Sequence, residues 1–194
     1  MQKVQRTARM DRRVQKTKRA ITHALADLLQ EKKLDDITIT ELCRVADINR
    51  KTFYMHFSSL EDVFQYIVNG IRTGFFEIQQ QFNSSAGYEL RASISLQLER
   101  INADLPYFQA LAKGNEYHRL YMEIMQVMED ARLQFTHSTE NTVKYVLRFL
   151  HGAYLATLTD WLRDPEGRTY QDVSEFYINS ALRVREAYQI DDVV

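Results

Sequence analysis

Between Arg12 and Glu31 the apolar side chains Val14, Ile21, Leu25 and Leu28 recur at the spacing of one helical face, with Ala20, Ala24 and Leu29 beside them. Lys16, Lys18 and Arg19 fall toward the outside, and residues 1–10 read as a basic arm ahead of the helix. Leu34 and Ile37 close a short connection. Thr38 followed by Glu41 has the form of a capping box, in which hydroxyl and carboxylate satisfy each other's backbone amides; it predicts a short helix through Leu42, Cys43 and Ala46. Asp47-Ile48-Asn49 is a tight turn: Asp and Asn tolerate left-handed or capping geometry, and Ile48 supplies an apolar plug. A second short helix is predicted from Arg50 to about His56, with Phe53 and Phe57 inward. Ser58 and Glu61 form another capping box. It predicts a long helix from near Ser59 through Val63, Phe64, Ile67, Val68, Ile71 and Phe75 to about Phe82.

Residues 83–87 read as a loop, followed by helices at 88–103, 105–112 and 115–136. Pro106 suits a first helical turn, and Gly114-Asn115 is a break. A long helix is predicted over 139–163. From Phe149 to Leu158 it is apolar nearly all round, apart from His151 and Thr157, and therefore covered on more than one side. Asp164-Pro165-Glu166-Gly167 is a turn. A last helix over 171–188 carries Val173, Phe176, Tyr177, Ala181, Val184 and Tyr188 on a stripe. The pattern is all-α with about nine helices. It divides into a three-helix head in residues 1–60 and a helical bundle in 61–194.

Composition supports this: only 2 Pro and 6 Gly interrupt 194 residues. Charge adds a second fact. The net charge of −1 hides 13 Lys/Arg against 7 Asp/Glu in residues 1–60, and 12 against 19 in the remainder. A basic head on an acidic body suits a protein that meets a polyanion with one end, although a basic tail is also an ordinary solvated face. One Cys excludes an internal disulfide, and the five His lack metal-ligand spacing, so no metal is expected. No apolar run has the length of a signal core or a membrane span, so no membrane association and a cytoplasmic location are expected. There is no GxSxG, phosphate-binding loop or dinucleotide glycine pattern, so neither an enzyme nor a cofactor is expected.

Two short helices joined by a tight turn behind a supporting helix make a helix-turn-helix, whose second helix has the size to enter a major groove of double-stranded DNA. Its outward residues would be Asn49, Arg50, Lys51, Thr52, Tyr54 and His56. Arg50 or Lys51 can reach guanine O6/N7, Thr52 can meet a thymine methyl, and Tyr54 and His56 suit phosphates. A helical hairpin with a polar face is the plain alternative. Against it stand the two capping boxes, the plugged turn and the cationic short helix.

This segment resembles the TetR family of bacterial regulators over about residues 12–70. Thr38 to Ala46, Asp47-Ile48-Asn49 and Thr52-Phe53-Tyr54-Met55-His56-Phe57 stand where that family has a Thr-led helix, a Gly-Val-Ser-like turn and a Thr-Phe-Tyr-x-His-Phe run. The resemblance implies a nine- or ten-helix fold, a homodimer, and a C-terminal pocket whose occupancy alters DNA affinity. It implies phosphate contacts from Thr38, Thr40, Tyr54 and His56, and base-facing roles for Arg50, Lys51 and Thr52. There are two departures: Asp47 replaces the turn Gly, and Leu60 replaces a phosphate-touching Lys. Tyr145 to Phe149, His151-Gly152-Ala153 and Trp161-Leu162 also resemble a subgroup of low-GC Gram-positive bacteria that includes regulators of dihydroxyacetone utilisation.

In the body, Gly152, Ala153 and Ala156 would let a helix approach closely, and Phe176 and Ala181 on the last helix would complete a dimer interface; intramolecular packing is the alternative. Tyr107, Phe108, Tyr117, Tyr121, Met122 and Met125, with Met128, form an aromatic and Met set. It suits either a pocket for an apolar or aromatic effector or an ordinary core. The expected function is that of a repressor on a palindromic operator. A ligand-independent regulator, or an activator working through a protein partner, is the alternative.

Overall fold

The computed structural model describes residues 2–84, 87–135 and 141–190. Among them are nine α-helices: α1 (Gln2–Leu29), α2 (Ile39–Val45), α3 (Arg50–Tyr54), α4 (Leu60–Phe82), α5 (Leu90–Asn102), α6 (Leu105–Lys113), α7 (Tyr117–Phe135), α8 (Asn141–Arg163) and α9 (Tyr170–Ala187). The all-α class and the helix order match the hydrophobic pattern. Three local differences appear. The first ten residues are not a separate arm, because the backbone of α1 is helical from Gln2. The expected loop at 83–87 contains a two-stranded antiparallel hairpin, β1 (Asn83–Ser84) with β2 (Gly87–Tyr88), pairing Asn83 with Tyr88. A 3₁₀ turn, Leu34–Asp36, fills the α1–α2 connection and buries Leu34. Residues 85–86 of the loop and the expected helix ends at 136 and 139–140 lie outside the described residues.

Two apolar clusters hold the molecule. The first joins α1, α2, α3 and the start of α4 through Ile21, Leu25, Leu42, Phe53, Val63 and Phe64, and it takes in Ala110, Leu111 and Leu120 of α6 and α7. Head and body therefore share a core instead of meeting at a polar seam. The second joins α5, α8 and α9 through Leu98, Val146, Leu150, Trp161, Tyr177 and Ile178. Polar contacts also tie the two parts. Asn115, at the α6–α7 break, donates from its backbone amide (2.7 Å) and Nδ2 (2.9 Å) to the Leu29 carbonyl, capping the end of α1. Arg19 and His23 of α1 face Asp104 at 2.8 and 3.0 Å, just ahead of α6.

Candidate nucleic-acid interface and cavity

The helix pair is shaped by its caps. Thr38 Oγ1 accepts from the Glu41 amide at 3.1 Å and starts α2. The Glu41 carboxylate is engaged elsewhere than a full capping box would have it: Lys32 Nζ donates to it at 2.7 Å. That hydrogen bond holds the carboxyl below its usual pKa. α2 ends in a Schellman motif, in which Ile48 N–H donates to the Cys43 carbonyl (3.0 Å) and Asp47 N–H to the Arg44 carbonyl (3.4 Å). Asp47 takes φ of +51°, the left-handed conformation that glycine supplies most easily. Ile48 is half-buried against the head core, as the plug requires. Cys43 is buried, and that burial pushes its thiol pKa up, the behaviour of a small core residue.

Asn49 is the N-cap of α3: its side-chain oxygen accepts from Thr52 N (2.8 Å) and Thr52 Oγ1 (3.0 Å). Phe53 turns fully inward, edge-on to Tyr54 and tilted against Phe57. With Phe53 locked in the core, the rest of α3 must face out. Arg50, Lys51 and Tyr54 are exposed, Thr52 and His56 are half-buried, and Thr38, Thr40 and Asn49 lie exposed around them. The helix stops at Tyr54, so His56 lies beyond its end instead of on it. Arg50 and Lys51 are held in no ion pair among the described residues. Two exposed neighbours were not singled out from the sequence: Arg44 on the last turn of α2, and Met55, 71% exposed. Helical phase identifies Arg44 once the inward side is fixed by Leu42 and Cys43.

α4 begins one residue later than the second capping box implies. Ser59 Oγ accepts from Asp62 N (3.1 Å), and the Asp62 carboxylate accepts from Ser58 N and Oγ. Glu61 is thereby left to meet Arg119 of α7, which donates to both its oxygens. Leu60 packs against the head core, so this position is a packing site where the family has a cation. Lys18 likewise differs from its expected outward place, since its ammonium sits over the Tyr66 ring at 4.6 Å.

Behind the head, α1 and α4–α8 enclose a cavity of about 440 Å³. Its wall is mostly apolar, including Ile67, Ile71, Phe75, Leu111, Ile124 and Leu158. Of the aromatic and Met set, Tyr107, Phe108, Tyr117 and Met128 line it. Tyr121, Met122 and Met125 do not, and Met122 is 56% exposed. The cause is helical phase: α7 turns Leu120, Ile124, Val127, Met128 and Ala131 inward, which carries 121, 122 and 125 off that face. The expected dimer set divides too. Ala181 is fully buried and Ala153 packs on the protomer core, so both serve the protomer's own interior. Gly152 is half-exposed, while Ala156 and Phe176 are exposed. On α8, Tyr145 and Phe149 join them, 67% and 62% exposed. Among the described residues, α8 is therefore covered on one side only. Among the described residues no helix is long and apolar enough to cross a membrane.

No family model matches the chain. Over 164 residues it is 35% identical to the uncharacterized HTH-type transcriptional regulator YxbF of Bacillus subtilis (strain 168), a match covering 80% of this chain. The chain spans 42% of that relative's length. Among solved structures, a TetR transcriptional regulator from Streptococcus agalactiae 2603V superposes with a TM-score of 0.55 at 21% identity, covering 90% of this chain and 98% of the other. The dihydroxyacetone kinase operon activator DhaS gives 0.55 at 18% identity, covering 86% and 94%. NalD, the secondary repressor of the MexAB-OprM multidrug efflux pump in Pseudomonas aeruginosa, gives 0.53 at 19%, covering 88% and 97%. At these identities the likeness is one of fold: a helix-turn-helix head on a helical body.

Proposed function

We propose that this chain, which has the fold of TetR-family regulators, is a DNA-binding transcriptional regulator that reads a palindromic operator as a homodimer. The observation that carries this is α3. Phe53 is locked into the core, and the opposite side presents Arg50, Lys51 and Tyr54 to solvent with no ion pair for either cation among the described residues. A short cationic helix held this way fits a major groove, with Arg50, Lys51 and Thr52 toward base edges. Thr38, Thr40, Tyr54 and His56 take phosphates, and Asn49 sets the helix start beside them.

Two heads on a two-fold axis must sit roughly 34–36 Å apart to enter successive grooves. The exposed stripe on α8 and Phe176 of α9 supply the surface for pairing. The cavity adjoins α4, whose Val63 and Phe64 pack in the head core and whose Ile67, Ile71 and Phe75 line the cavity wall. An apolar effector there favours one tilt of α4 over another, and so one head separation over another. The resulting function is repression relieved by the effector. A ligand-independent regulator, or an activator working through a protein partner, is the second reading, supported by DhaS, an operon activator with the same fold.

The test is selection of duplexes from a random pool, followed by anisotropy titration against salt. The expected outcome is enrichment of an inverted repeat and affinity that falls steeply with salt. Lys51→Ala should lose about 1–3 kcal/mol on the selected duplex. A chain that ignores double-stranded DNA even at low salt is not a regulator of this kind.

A further inference from the structure

The cavity wall is mostly apolar, and one polar side chain in it stands out. Gln97 of α5 is only 7% exposed, lines the cavity, and has a side-chain Nε2 without a hydrogen-bond partner among the described residues. Several other polar groups on the wall are engaged. Tyr117 Oη and Thr159 Oγ1 pair at 2.7 Å, and Thr159 Oγ1 donates onward to the Leu155 carbonyl. Thr22 Oγ1 donates to the Arg19 carbonyl. The charged members are also matched: Arg19 with Asp104 at 2.8 Å, and Arg100 with Glu77 at 3.6 Å. A buried amide left unpaired is a standing cost, and a group of this kind in an otherwise apolar wall marks where a ligand completes the site.

We infer that the effector is an uncharged, mainly apolar molecule with a carbonyl-type oxygen that accepts a hydrogen bond from the Gln97 carboxamide. This rests on the effector role proposed above for the cavity. The terminal torsion of Gln is soft, so the N–H turns into the cavity without giving up any existing bond. A carboxylate is disfavoured. It would be desolvated next to a wall whose arginines already face acids, and a buried charge needs a partner of its own. Entry is from the side of Gln15, Arg19, Tyr66, Gly70 and Arg100, the exposed members of the lining. A Cβ on Gly70 would meet no atom within 4 Å, and one on Gly74 only Arg100 Nη1 at 4.0 Å, so α4 carries no side chain at these two positions of the opening.

The test is calorimetric titration of the full chain, without DNA, using three probes of one skeleton: butyrophenone, butylbenzene and 4-butylbenzoic acid. The ketone-to-hydrocarbon affinity ratio should fall about 3–10-fold in Gln97→Leu, the range set by one neutral hydrogen bond. The same shift is expected in Gln97→Met. Removing an unpaired buried amide should also raise the melting temperature of the empty protein, so neither variant should unfold. An unchanged ratio overturns the role of Gln97 but leaves the cavity as an effector site. Tighter binding of the acid than of the ketone overturns the uncharged class. No saturable binding of any probe to the wild type removes the effector reading itself, and this inference with it.

Discussion

At the scale of single residues, the head depends on two positions that a helix propensity table would not favour. Asp47 occupies a left-handed conformation at the end of α2, where its own N–H and that of Ile48 close the Schellman motif. An L-residue with a Cβ at that φ costs about 1–2 kcal/mol, with Asp and Asn penalised least. Asp47→Ala should therefore destabilise the chain by about 1 kcal/mol relative to Asp47→Gly. Urea unfolding of the pair checks this, and equal midpoints would remove the strain argument. Asn49 raises a different issue, because one oxygen serves both Thr52 N and Thr52 Oγ1. α3 is only five residues long, so a cap matters more to it than to a longer helix. Asn49→Ala should cost about 1 kcal/mol of stability. Asn49→Asp keeps the cap, so its stability should hold while its duplex affinity falls from the added negative charge. If Asn49→Asp lost as much stability as Asn49→Ala, the capping role would be wrong.

At the scale of elements, the contact of α4 with α7 is held by Arg119. Its guanidinium donates to both Glu61 oxygens and lies 4.3 Å over the Phe64 ring. Those hydrogen bonds, from Arg119 first and Gln65 after it, hold the Glu61 carboxyl below its ordinary value of 4.5, against the opposing effect of burial. A depressed folded-state pKa means stability that is present above about pH 4.5 and lost as the pH falls through the folded value. With Glu61 half exposed, solvent screening keeps the contribution to a few tenths of a kcal/mol, up to about 1. Glu61→Gln should flatten the acid limb of the stability profile below pH 4.5, and thermal melts across pH 3–6 measure it; an unchanged limb would place the acid sensitivity elsewhere.

Element boundaries were legible where local chemistry decides them, as with the Thr38 cap, the 47–49 turn, Gly114 and the 164–167 turn. The carboxylate half of each expected capping box failed where a side chain chose a distant partner over a local one. Glu41 went to Lys32 and Glu61 to Arg119, and neither choice is encoded in neighbouring residues. Tyr121, Met122 and Met125 failed as cavity residues for a related reason. Residue type indicates that a helix has an adaptable face, while only the phase of Leu120, Ile124 and Met128 says which face it is.

At the scale of the whole molecule, the two cores leave one apolar surface uncovered, and the homodimer proposed above would use it. Tyr145, Phe149, Gly152 and Ala156 follow one another at helical spacing along α8, and Phe176 stands on the neighbouring α9. The chain buries the other side of both helices, and no packing among the described residues explains bulky aromatics here. Gly152 adds to the point: a Cβ there would meet no atom within 4 Å, yet glycine inside a helix costs about 1 kcal/mol relative to alanine. In the proposed homodimer, a close helix from a second copy related by a two-fold axis would account for both the aromatics and the glycine. Phe149→Asp should then give monomers in sedimentation at micromolar concentration. It should leave binding to a single half-site unaffected, because α3 is remote from the change. Affinity for a duplex carrying both half-sites should drop about 10²–10⁴-fold, the advantage lost when the second contact is no longer tethered to the first. If Phe149→Asp stayed dimeric, the pairing surface would have to be sought away from α8; if it were monomeric yet bound the full site undiminished, recognition would not require two heads at all.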